Sequence, residues 1–593
     1  MSDTIISRFQ AKADVHADSP LWHDFKDGAW QTLSWTQARV IVEEVASGLM
    51  ALGVEKGDRV GFLGVNSSDW VATDYGIQHS GAIGVPLYNT LAPDQLSYVL
   101  SHAEASVLIV DSQEQLDKAL ASDIGGITKI VAHHLGDADR GRVIGTGALR
   151  QMGREWAAKN TGALTKRMNS VQPDDLFSII YTSGTTGPPK GAMLTNTNIL
   201  WTTKSAFSRL GLNDTETMVS YLPLSHVFER LTTTITPLTG DGNVEFYFVP
   251  EITMLPDALK HARPTLFIAV PRVWEKFEAR IRAEVGETPA IRQKLFKFAM
   301  DGAIASIAAR DGEGKAGMGA KVGAMLASKV AGKKVLGELG LDRCRIAISG
   351  AAPLAPDVQR FFQGLGLPLH QGWGMTESTA AGTVQGPGQL HVGSVGPPLE
   401  GTEVKLAEDG EILFRGPNVF RGYYNEPEQT ADTLQDGWLH TGDIGVFLAD
   451  GSLKIVDRKK DIIITAGGKN VAPQEIESRI KADGLVAEAI IIGDHKPYLV
   501  ALISLDLDEA KTWLHQEGEE AGSDESVYRD PKVLRHIENV IDGVNAQFSK
   551  AEGVRKWSVV TGGFPEDALT PTLKLKRRVI NEKFATEIDG LYR

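Results

Sequence analysis

The stretch YTSGTTGPPKGAMLT, residues 181–195, continues the apolar segment LFSIIYT and has the glycines, hydroxyls and lysine of a phosphate-binding loop. It does not fit the phosphate loop of common nucleotide hydrolases, because Gly191 follows Lys190 where that motif requires Ser or Thr. The two prolines before Lys190 have no backbone N–H to donate. Contacts to phosphate would therefore come from residues 182–187, where hydroxyls and glycine-permitted turns can line an anion cradle. Lys190 would add a positive charge.

The sequence around this loop alternates between helices and apolar strands. Apolar residues recur at helical spacing from Ala38 to Leu52, and Gly53 can end that helix. Compact strands are predicted at residues 59–65, 82–88, 106–111 and 176–182. The intervening segments are long enough for crossover helices, so we predict an α/β body of layered, largely parallel sheets.

The composition and the predicted secondary structure of the chain change beyond this body. Residues 275–340 are rich in Ala, Lys, Glu and Gly at helical spacing and are interpreted as a helical insertion. Short strands and turns after about residue 400 predict a smaller β-rich subdomain, and the runs AEAIIIGD and YLVALISLD predict a hairpin in a separate C-terminal α+β lobe. Residues 506–550 are strongly acidic and are interpreted as a solvated helical insertion.

Composition excludes several classes of function. The chain of 593 residues is long enough for at least two folding units. Its net charge of −14 disfavours nonspecific binding to nucleic acid, and we expect no nucleic-acid partner. One cysteine, Cys344, allows neither an internal disulfide nor a cysteine-built metal site. No apolar run approaches the roughly 18 residues that span a bilayer, and the first residues lack a signal-peptide core, so we expect a cytoplasmic protein with possible transient, peripheral membrane contact.

YTSGTTGPPKG resembles the signature loop of the adenylate-forming (ANL) superfamily, which contains acyl-CoA synthetases, luciferase-like enzymes and the adenylation domains of peptide synthetases. Further segments resemble that superfamily's motifs in the same order: YLPLSHVFER (221–230), ISGAAPL (348–354), GWGMTES (372–378), HTGD (440–443), DRKKDIIITAGGKNVAP (457–473) and LTPTLKLKRRVI (569–580). The LSHVFER version is similar to that of long-chain acyl-CoA synthetases. One departure is Asn196, which stands where the family often has histidine, so no role is carried over for that histidine.

The resemblance implies a domain organisation. A large N-terminal domain, residues 1–459, would bind ATP and the acyl group and would include the β-rich subdomain at about 395–459. A small, mobile C-terminal domain, residues 460–593, would turn about a hinge at Lys460.

The resemblance also implies site residues. ATP would contact Thr182, Ser183, Gly184, Thr185, Thr186, Gly187, Lys190, Gly350, Ala351, Ala352, Gln371, Gly372, Trp373, Gly374, Met375, Thr376, Asp443, Arg458 and Lys574. Thr182 and Glu377 would hold Mg²⁺, which prefers few carboxylates together with phosphate oxygens and water. The acyl pocket would include His226, Val227 and Phe228, and the CoA tunnel Gly467 and Gly468. The catalytic residues would be Lys190, Thr376, Glu377 and Lys574.

Most of these residues have ordinary structural interpretations when each is taken alone. His226 would be a hydrogen-bonded structural histidine, and Thr376 with Glu377 a helix cap. The charged run at 457–461 would be a solvated linker, and the basic C-terminal segment a surface patch. Alternation along a strand would place Lys576 on the same face as Lys574, which makes Lys576 the alternative adenylation lysine.

The function implied is ATP-dependent ligation of a long-chain fatty acid to CoA through an acyl-adenylate, with release of AMP and pyrophosphate. ATP and Mg²⁺ would be the cofactors, and long-chain fatty acid and CoA the partners; the oligomeric state is not predicted. The alternatives are a fatty acyl-AMP ligase or adenylation enzyme that loads a carrier protein, a medium-chain or aryl acid CoA ligase, a luciferase-like oxygenase, and a degenerate, noncatalytic family member that acts as a lipid-binding or scaffold protein. The chain contains no Leu-Gly-Gly-x-Ser carrier site, and Lys190, Glu377, Asp443, Arg458 and Lys574 are all present.

Overall fold

A computed structural model describes residues 2–182, 188–212, 215–520, 522–550, 552–565, 568 and 575–593. The strands are β1 (Pro20–Lys26), β2 (Ala29–Ser34), β3 (Arg59–Leu63), β4 (Ile83–Leu87), β5 (Ala105–Val110), β6 (Lys129–Ala132), β7 (Asp139–Arg140), β8 (Val143–Gly145), β9 (Leu176–Thr182), β10 (Lys190–Thr195), β11 (Glu216–Ser220), β12 (Val244–Phe248), β13 (Leu266–Ala269), β14 (Ile346–Ser349), β15 (Leu369–Trp373), β16 (Thr383–Val384), β17 (Glu403–Leu406), β18 (Glu411–Arg415), β19 (Leu434–Gln435), β20 (Trp438–Phe447), β21 (Leu453–Arg458), β22 (Ile463–Ile464), β23 (Asn470–Val471), β24 (Val486–Ile492), β25 (Leu499–Leu505) and β26 (Val554–Val559). The helices are α1 (Ile5–Val15), α2 (Trp35–Ala51), α3 (Ser68–His79), α4 (Pro93–His102), α5 (Gln113–Ala121), α6 (Thr146–Lys159), α7 (Ala163–Ser170), α8 (Asn196–Leu210), α9 (Val227–Arg230), α10 (Leu255–Ala262), α11 (Pro271–Gly286), α12 (Ala290–Arg310), α13 (Met318–Leu326), α14 (Lys333–Glu338), α15 (Pro356–Gly364), α16 (Pro427–Thr433), α17 (Pro473–Lys481), α18 (Leu507–Gln516), α19 (Asp524–Val527), α20 (Pro531–Asn545), α21 (Arg577–Lys583) and α22 (Ala585–Leu591).

The predicted α/β body is confirmed. The four predicted strands are β3, β4, β5 and β9 of an eight-stranded sheet with the order β10-β9-β4-β3-β5-β6-β8-β7. Strand β3 pairs in parallel with both β4 and β5, as expected for strands joined by crossover helices. The edges are antiparallel, because β10 pairs with β9 and β7 with β8 through short connections. Two further four-stranded sheets, β11-β12-β1-β2 and β13-β14-β15-β16, complete the body.

The first predicted helix is α2, which begins after an N-cap at Ser34 and buries Ala38, Val42 and Leu49. Its end follows from Gly53, whose φ of +90° is a backbone conformation that residues with a side chain rarely adopt. The apolar spacing therefore predicts both the helix and its buried face.

The predicted helical insertion consists of α11 to α14, between β13 and β14. Its inner face joins a core with α15 that contains Trp274, Phe277, Phe361 and Phe362. Cys344 lies in the same core with a buried thiol, and burial raises its pKa to about 12, in agreement with a packing role.

The β-rich region is a five-stranded antiparallel sheet in which β17, β18, β20 and β19 are neighbours and β21 pairs with β20. The predicted C-terminal hairpin is also present, as β24 and β25. The interpretation of residues 506–550 as a solvated insertion is wrong for α20, because Val533, Ile537 and Ile541 are buried in the core of the C-terminal lobe. That segment is the crossover between the parallel strands β25 and β26, which needs an apolar face against the sheet.

A buried ion pair fixes the centre of the large sheet to the segment that follows β11. The guanidinium of Arg230 donates to both carboxylate oxygens of Asp74, at 2.8 and 2.6 Å, and both side chains are 1% exposed. Arg230 also donates to the Ser178 hydroxyl of β9 at 2.5 Å, and it lies 4.2 Å from the centroid of the Phe177 ring. This pair therefore ties α3, β9 and α9 together.

No helix of the described part of the chain is long and apolar enough to cross a membrane.

Candidate active site

The two ends of the quoted loop are held together by a strand pair. Lys190 of β10 stands opposite Thr182 of β9, and the Thr182 hydroxyl donates to the Lys190 carbonyl at 3.4 Å. Ser183, Gly184, Thr185, Thr186 and Gly187, the predicted phosphate contacts, lie outside the described residues. The described residues thus fix the base of the loop and the position of its lysine.

Lys190, Tyr423 and Glu377 form a compact group that we call the Glu377 cluster. The ammonium of Lys190 lies 5.0 Å from the centroid of the Tyr423 ring, a cation–π contact. The Tyr423 hydroxyl donates to Oε1 of Glu377 at 2.6 Å. Burial, followed by the negative charge of Glu377, raises the pKa of Tyr423, so the phenol stays protonated and remains a donor. The cluster joins two segments whose residues are far apart in the sequence.

The turn that carries Glu377 is anchored at its backbone. Residues 376–378 form one turn of 3₁₀ helix after β15, and the Phe420 N–H donates to the Glu377 carbonyl at 2.8 Å. The amide of Asn418 donates to the Ser378 carbonyl at 3.1 Å, and the Ser378 hydroxyl is hydrogen-bonded to the Met375 N–H at 3.0 Å. The backbone of this turn is therefore held in place from several sides, and it carries the buried side chain of Glu377.

The carboxylate of Glu377 fits the requirements of a magnesium ion. The Tyr423 hydroxyl donates a hydrogen bond to Oε1 of Glu377, and no described residue donates one to Oε2. Among the described residues, no group of three or more His, Cys, Asp or Glu side chains could hold a metal by itself. Mg²⁺ prefers few protein carboxylates together with phosphate oxygens and water, and a single carboxylate with an oxygen to spare is a ligand of that kind.

Trp373, Asp443 and Arg458 form a second group, the Asp443 cluster. The Trp373 indole N–H donates to Asp443 Oδ2 at 2.8 Å, and Arg458 Nε lies 3.4 Å from Oδ1. Asp443 and Arg458 are directly opposite on the paired strands β20 and β21. The carboxylate is thus oriented by one neutral and one charged donor, and both oxygens remain able to accept further hydrogen bonds.

Charged residues of both clusters act on the side chain of Lys460. Burial lowers its pKa, the positive charge of Arg458 lowers it further, and Lys190 acts in the same direction with a smaller effect. The carboxylates of Asp461 and Asp443 oppose that shift. The predicted hinge residue therefore lies within the electrostatic field of both clusters.

The segment after β14 lies against the LSHVFER segment. A Cβ atom at Gly350 would be 3.0 Å from Cζ of the Phe228 ring, so glycine is needed for this contact. Ala351 has a φ of +67°, an uncommon conformation for a residue with a side chain, and Ala352 is exposed. The structure therefore brings a predicted adenine loop and a predicted acyl-pocket residue into contact.

Other predicted ATP residues have contacts inside the protein. Gln371 is buried, and its side-chain amide donates to Gln359 at 2.8 Å. Gly374 is required by packing, because a Cβ there would lie 2.2 Å from the Ala380 carbonyl oxygen. Gly372 lies on β15, and Met375 and Thr376 follow it at the partly exposed mouth of the Glu377 turn.

His226 caps a short helix. Its Nδ1 accepts the Phe228 N–H at 3.3 Å at the start of α9, and Val227 is buried. Glu229 on the same turn is also buried and accepts hydrogen bonds from the hydroxyls of Ser220 and Thr233, at 2.7 and 3.2 Å. Burial raises the pKa of Glu229 from 4.5 to about 7, despite those hydrogen bonds.

Glu229→Gln is expected to remove a pH dependence of stability. The folded protein holds a proton on Glu229 that the unfolded chain loses, so this group makes the fold less stable as pH rises from about 4.5 to 7. The variant should therefore gain unfolding free energy relative to the parent across that interval, measured by urea unfolding at several pH values. Glu403→Gln, at an exposed position, is the control. A Glu229→Gln difference that is constant with pH would contradict the protonated carboxyl.

The segments at and after the predicted hinge are anchored by backbone contacts. Asp457 accepts the N–H groups of Arg458 and Gln474 at 2.6 and 3.0 Å, and burial raises its pKa to about 7. Gly467 and Gly468 form an exposed turn between β22 and β23, where Gly468 has a φ of +75°. No hydrogen bond between described residues joins that turn to the Glu377 cluster.

The predicted adenylation lysine, Lys574, lies outside the described residues. The placement of Lys576 on a strand is wrong, because it is the N-cap of α21 and its N–H donates to the Ala568 carbonyl at 2.7 Å. Arg577 ties this helix to the lobe through Glu477, at 2.8 Å, and the Ile491 carbonyl, at 2.6 Å. The strand-face argument for Lys576 therefore fails.

Tyr423 is the residue of the site that sequence reasoning missed. The sequence feature that could have indicated Tyr423 is the tight turn in RGYYNEP. The backbone of this turn pairs with β10: the Met193 N–H donates to the Gly422 carbonyl, and the Tyr424 N–H donates to the Gly191 carbonyl. That pairing carries the phenol to Lys190, and it depends on a contact between segments more than 200 residues apart in the sequence.

The chain matches two protein-family models. Residues 9–424 match the model of the AMP-binding enzyme, and residues 460–593 match that of the AMP-binding enzyme C-terminal domain.

Two curated relatives cover nearly the whole chain. It is 33% identical to long-chain-fatty-acid–CoA ligase FadD15 of Mycobacterium tuberculosis, over 97% of this chain and 94% of the relative. It is 32% identical to long-chain-fatty-acid–CoA ligase ACSBG2 of Mus musculus, over 99% of this chain and 93% of the relative.

Solved structures share the fold. The anthranilate CoA ligase AuaEII in complex with anthranoyl-AMP has a TM-score of 0.72 at 21% identity, with 99% of this chain and 98% of that chain covered. The Mycobacterium tuberculosis fatty acyl CoA synthetase has a TM-score of 0.60 at 22% identity, with 98% and 99% covered.

Proposed function

This chain belongs to the AMP-binding enzymes of the adenylate-forming superfamily, and we propose that it ligates a long-chain fatty acid to coenzyme A at the expense of ATP. The observation that carries the proposal is the Glu377 cluster, in which a lysine from the phosphate loop and a buried carboxylate are bridged by one tyrosine. Full-length similarity to long-chain-fatty-acid–CoA ligases supports the choice of acid and acceptor.

The proposed reaction has two displacements. A carboxylate oxygen of the fatty acid attacks the α-phosphorus of ATP, the bond to the bridging oxygen breaks, and pyrophosphate leaves. The CoA sulfur, after loss of its proton, then attacks the acyl carbon, and AMP leaves with the oxygen that came from the acid. In the first step anionic groups approach each other, so positive charge held in place beforehand is the main contribution the site can make.

We assign the roles of the described residues on this basis. Lys190 would neutralise phosphate oxygens beside the loop, and Asp443 would accept hydrogen bonds from the ribose hydroxyls with Arg458 beside it. Thr376, at the mouth of the turn, would contact the α-phosphate. Glu377, with Thr182, would hold Mg²⁺, which when bound supplies positive charge to the phosphate oxygens.

Asp443→Ala is expected to raise the KM for ATP by about tenfold or more with a smaller change in kcat, because hydrogen bonds to a charged group contribute about 1.5–3 kcal/mol. The measurement is acid-dependent AMP release at varied ATP. Glu403→Ala, an exposed carboxylate on the same β-rich sheet, is the matched control. An unchanged KM in Asp443→Ala would remove this residue from the nucleotide site.

Lys574→Ala is expected to lower acyl-adenylate formation by about 10²-fold, the size seen when one charge-stabilising donor is lost. It should spare thioester formation from supplied acyl-adenylate, and rapid-quench assays of each half-reaction separate the two. Lys576→Ala is the paired variant. Loss of the first step in Lys576→Ala alone would transfer the role to that residue.

We also propose that residues 460–593 move as a unit about Lys460 between the two half-reactions. The proposal rests on the position of Lys460, within the electrostatic field of Lys190 and Asp443 and directly before the C-terminal lobe. If the lobe turned about Lys460, the charge of that lysine would move relative to Lys190 in one cluster and to Asp443 in the other.

A panel of acids tests the choice of substrate. Palmitate, octanoate, acetate and an aryl acid are assayed for AMP release with and without CoA. We expect the highest kcat/KM with the long-chain acid and release that requires CoA for steady turnover. Turnover with a carrier protein but not with CoA would favour a carrier-loading enzyme, and no turnover with any acid would overturn the proposal.

A further inference from the structure

The helical insertion has an unusual outer surface. We call residues 290–334 the outer hairpin: α12, the connection to α13, α13 itself, the π-helical turn that follows it and the first two residues of α14. Large apolar side chains are exposed along both helices: Ile291 (78%), Leu295 (56%) and Phe298 (48%) on α12, and Met318 (79%), Val322 (43%) and Met325 (51%) on α13. Val330, after α13, is 64% exposed. Exposed apolar residues are common singly, but seven of them on two adjacent helices and the turn that follows indicate an interaction surface.

These residues form one stripe on each helix. Both sets are spaced i, i+4, i+7, which places them within a narrow sector of a helix with 3.6 residues per turn. On α12 the opposite face carries Met300, Ala303 and Ile307, which are buried against the body. The stripe of α12 therefore faces away from the protein.

The stripe of α13 faces outward as well. The two helices pack closely through glycine, because a Cβ on Gly302 would lie 2.8 Å from the Cα of Gly323 and also 2.8 Å from the Ala320 carbonyl oxygen. Gly323 and Ala320 are on the side of α13 opposite Met318, Val322 and Met325. Gly302 is on the same face of α12 as Ile291, Leu295 and Phe298, so α13 packs on the outer face of α12 beside Phe298 and turns its own stripe outward. Both stripes thus point away from the body and are exposed.

The surface is also strongly basic. The outer hairpin has nine Lys or Arg and three Asp or Glu, a local charge of +6 in a chain whose net charge is −14. Arg292, Lys294, Lys321, Lys329 and Lys333 are exposed, and no described carboxylate lies within ion-pair distance of them. Their long side chains flank the apolar stripes with unneutralised positive charge.

From this combination we propose that the outer hairpin docks on an anionic phospholipid bilayer. Apolar side chains can enter the region between the headgroups and the acyl chains, while lysines and arginines contact anionic headgroups. A second copy of the chain fits less well, because it would present the same +6 charge to its partner. The docking does not depend on the proposed ligase activity, although it would place such an enzyme where fatty acids partition.

Vesicle binding tests the proposal on the full chain without ATP or acid. The protein is sedimented with vesicles of phosphatidylcholine alone or with about 30 mol% phosphatidylglycerol, which supplies the negative surface potential. We expect binding to the anionic vesicles that is at least tenfold stronger and that weakens as salt is raised.

Two sets of variants locate the surface. The triple variant Leu295→Gln, Phe298→Gln and Met325→Gln is expected to lose at least tenfold in vesicle affinity. Its control is Val15→Gln, Val40→Gln and Leu120→Gln, at exposed apolar positions on other helices. The double variant Lys321→Glu and Lys329→Glu should lose the preference for anionic vesicles, whereas Lys159→Glu and Lys166→Glu should keep it. Circular dichroism and the unfolding midpoint confirm that each variant is folded.

Three results would overturn the proposal: no binding to anionic vesicles, equal binding by the outer-hairpin triple variant and its control, or a dimer in sedimentation velocity that the triple variant dissociates. The last result would assign the surface to a second copy of the chain. None of these measurements uses turnover, so a failure here is distinct from a failure of the ligase assignment.

Discussion

Glu377→Gln is expected to lower kcat/KM for acid activation by about 10²–10³-fold, because it removes the one negative charge that the described site offers to a cation bound with the triphosphate. The amide keeps the size of the side chain and an acceptor for the Tyr423 hydroxyl, which lies 2.6 Å from Oε1 in the parent. The loss would therefore report on charge and not on packing. Acid-dependent exchange between pyrophosphate and ATP is the measurement, with magnesium varied at fixed ATP.

The neighbouring tyrosine provides a matched comparison. Tyr423→Phe removes the hydroxyl that orients Glu377 and leaves its charge, so we expect a smaller loss of about tenfold, the value of one hydrogen bond to a charged group. The aromatic face beside Lys190 is retained in this variant. The magnesium concentration required for half-maximal rate should rise in Glu377→Gln more than in Tyr423→Phe. Equal and small effects of both changes would contradict the role given to Glu377.

Asp74→Ala is expected to lower the free energy of unfolding by about 3–5 kcal/mol, because it leaves the guanidinium of Arg230 buried without its counter-charge. Ser178 would remain as a neutral partner but cannot replace the charge. Urea unfolding followed by tryptophan fluorescence is suitable, since Trp22, Trp35 and Trp70 lie in the same core.

The double variant Asp74→Ala and Arg230→Met separates the lost pair from the unpaired charge. It removes both charges, so we expect it to be more stable than Asp74→Ala alone. Glu403→Ala, which breaks the exposed pair with Arg415, should cost about 0–1 kcal/mol. A loss of that small size in Asp74→Ala would show that the buried pair is not essential to this core.

The fold was largely predictable because its signals are local. Apolar runs predict β3, β4, β5 and β9, and helical spacing with a following glycine predicts α2. The interpretation of α20 failed because acidic residues around it dominate the composition, whereas burial depends on Val533, Ile537 and Ile541 at one-turn spacing. The spacing of those apolar residues, as in α2, was the signal of a buried face, and the acidic composition of the whole segment outweighed it in the interpretation.

The sequence predicted which types of residue form the site, but it did not predict how those residues contact one another. Lys190 and Glu377 follow from motifs, but their link through Tyr423 depends on the pairing of β10 with a distant turn. Lys576 was placed on a strand by alternation, which fails where the chain begins α21. The helices α12 and α13 were expected, but their outward apolar stripes could not be told from core-facing ones by spacing alone.

The transfer of an oxygen atom from the acid to AMP tests the central claim most directly. Palmitate labelled with ¹⁸O in its carboxylate is incubated with ATP, magnesium and CoA, and the isotope content of AMP, pyrophosphate and phosphate is measured by mass spectrometry. Attack of the carboxylate on the α-phosphorus predicts one ¹⁸O atom in each AMP released, with none in pyrophosphate. Label in phosphate with ADP as the nucleotide product, or unlabelled AMP, would contradict an acyl-adenylate.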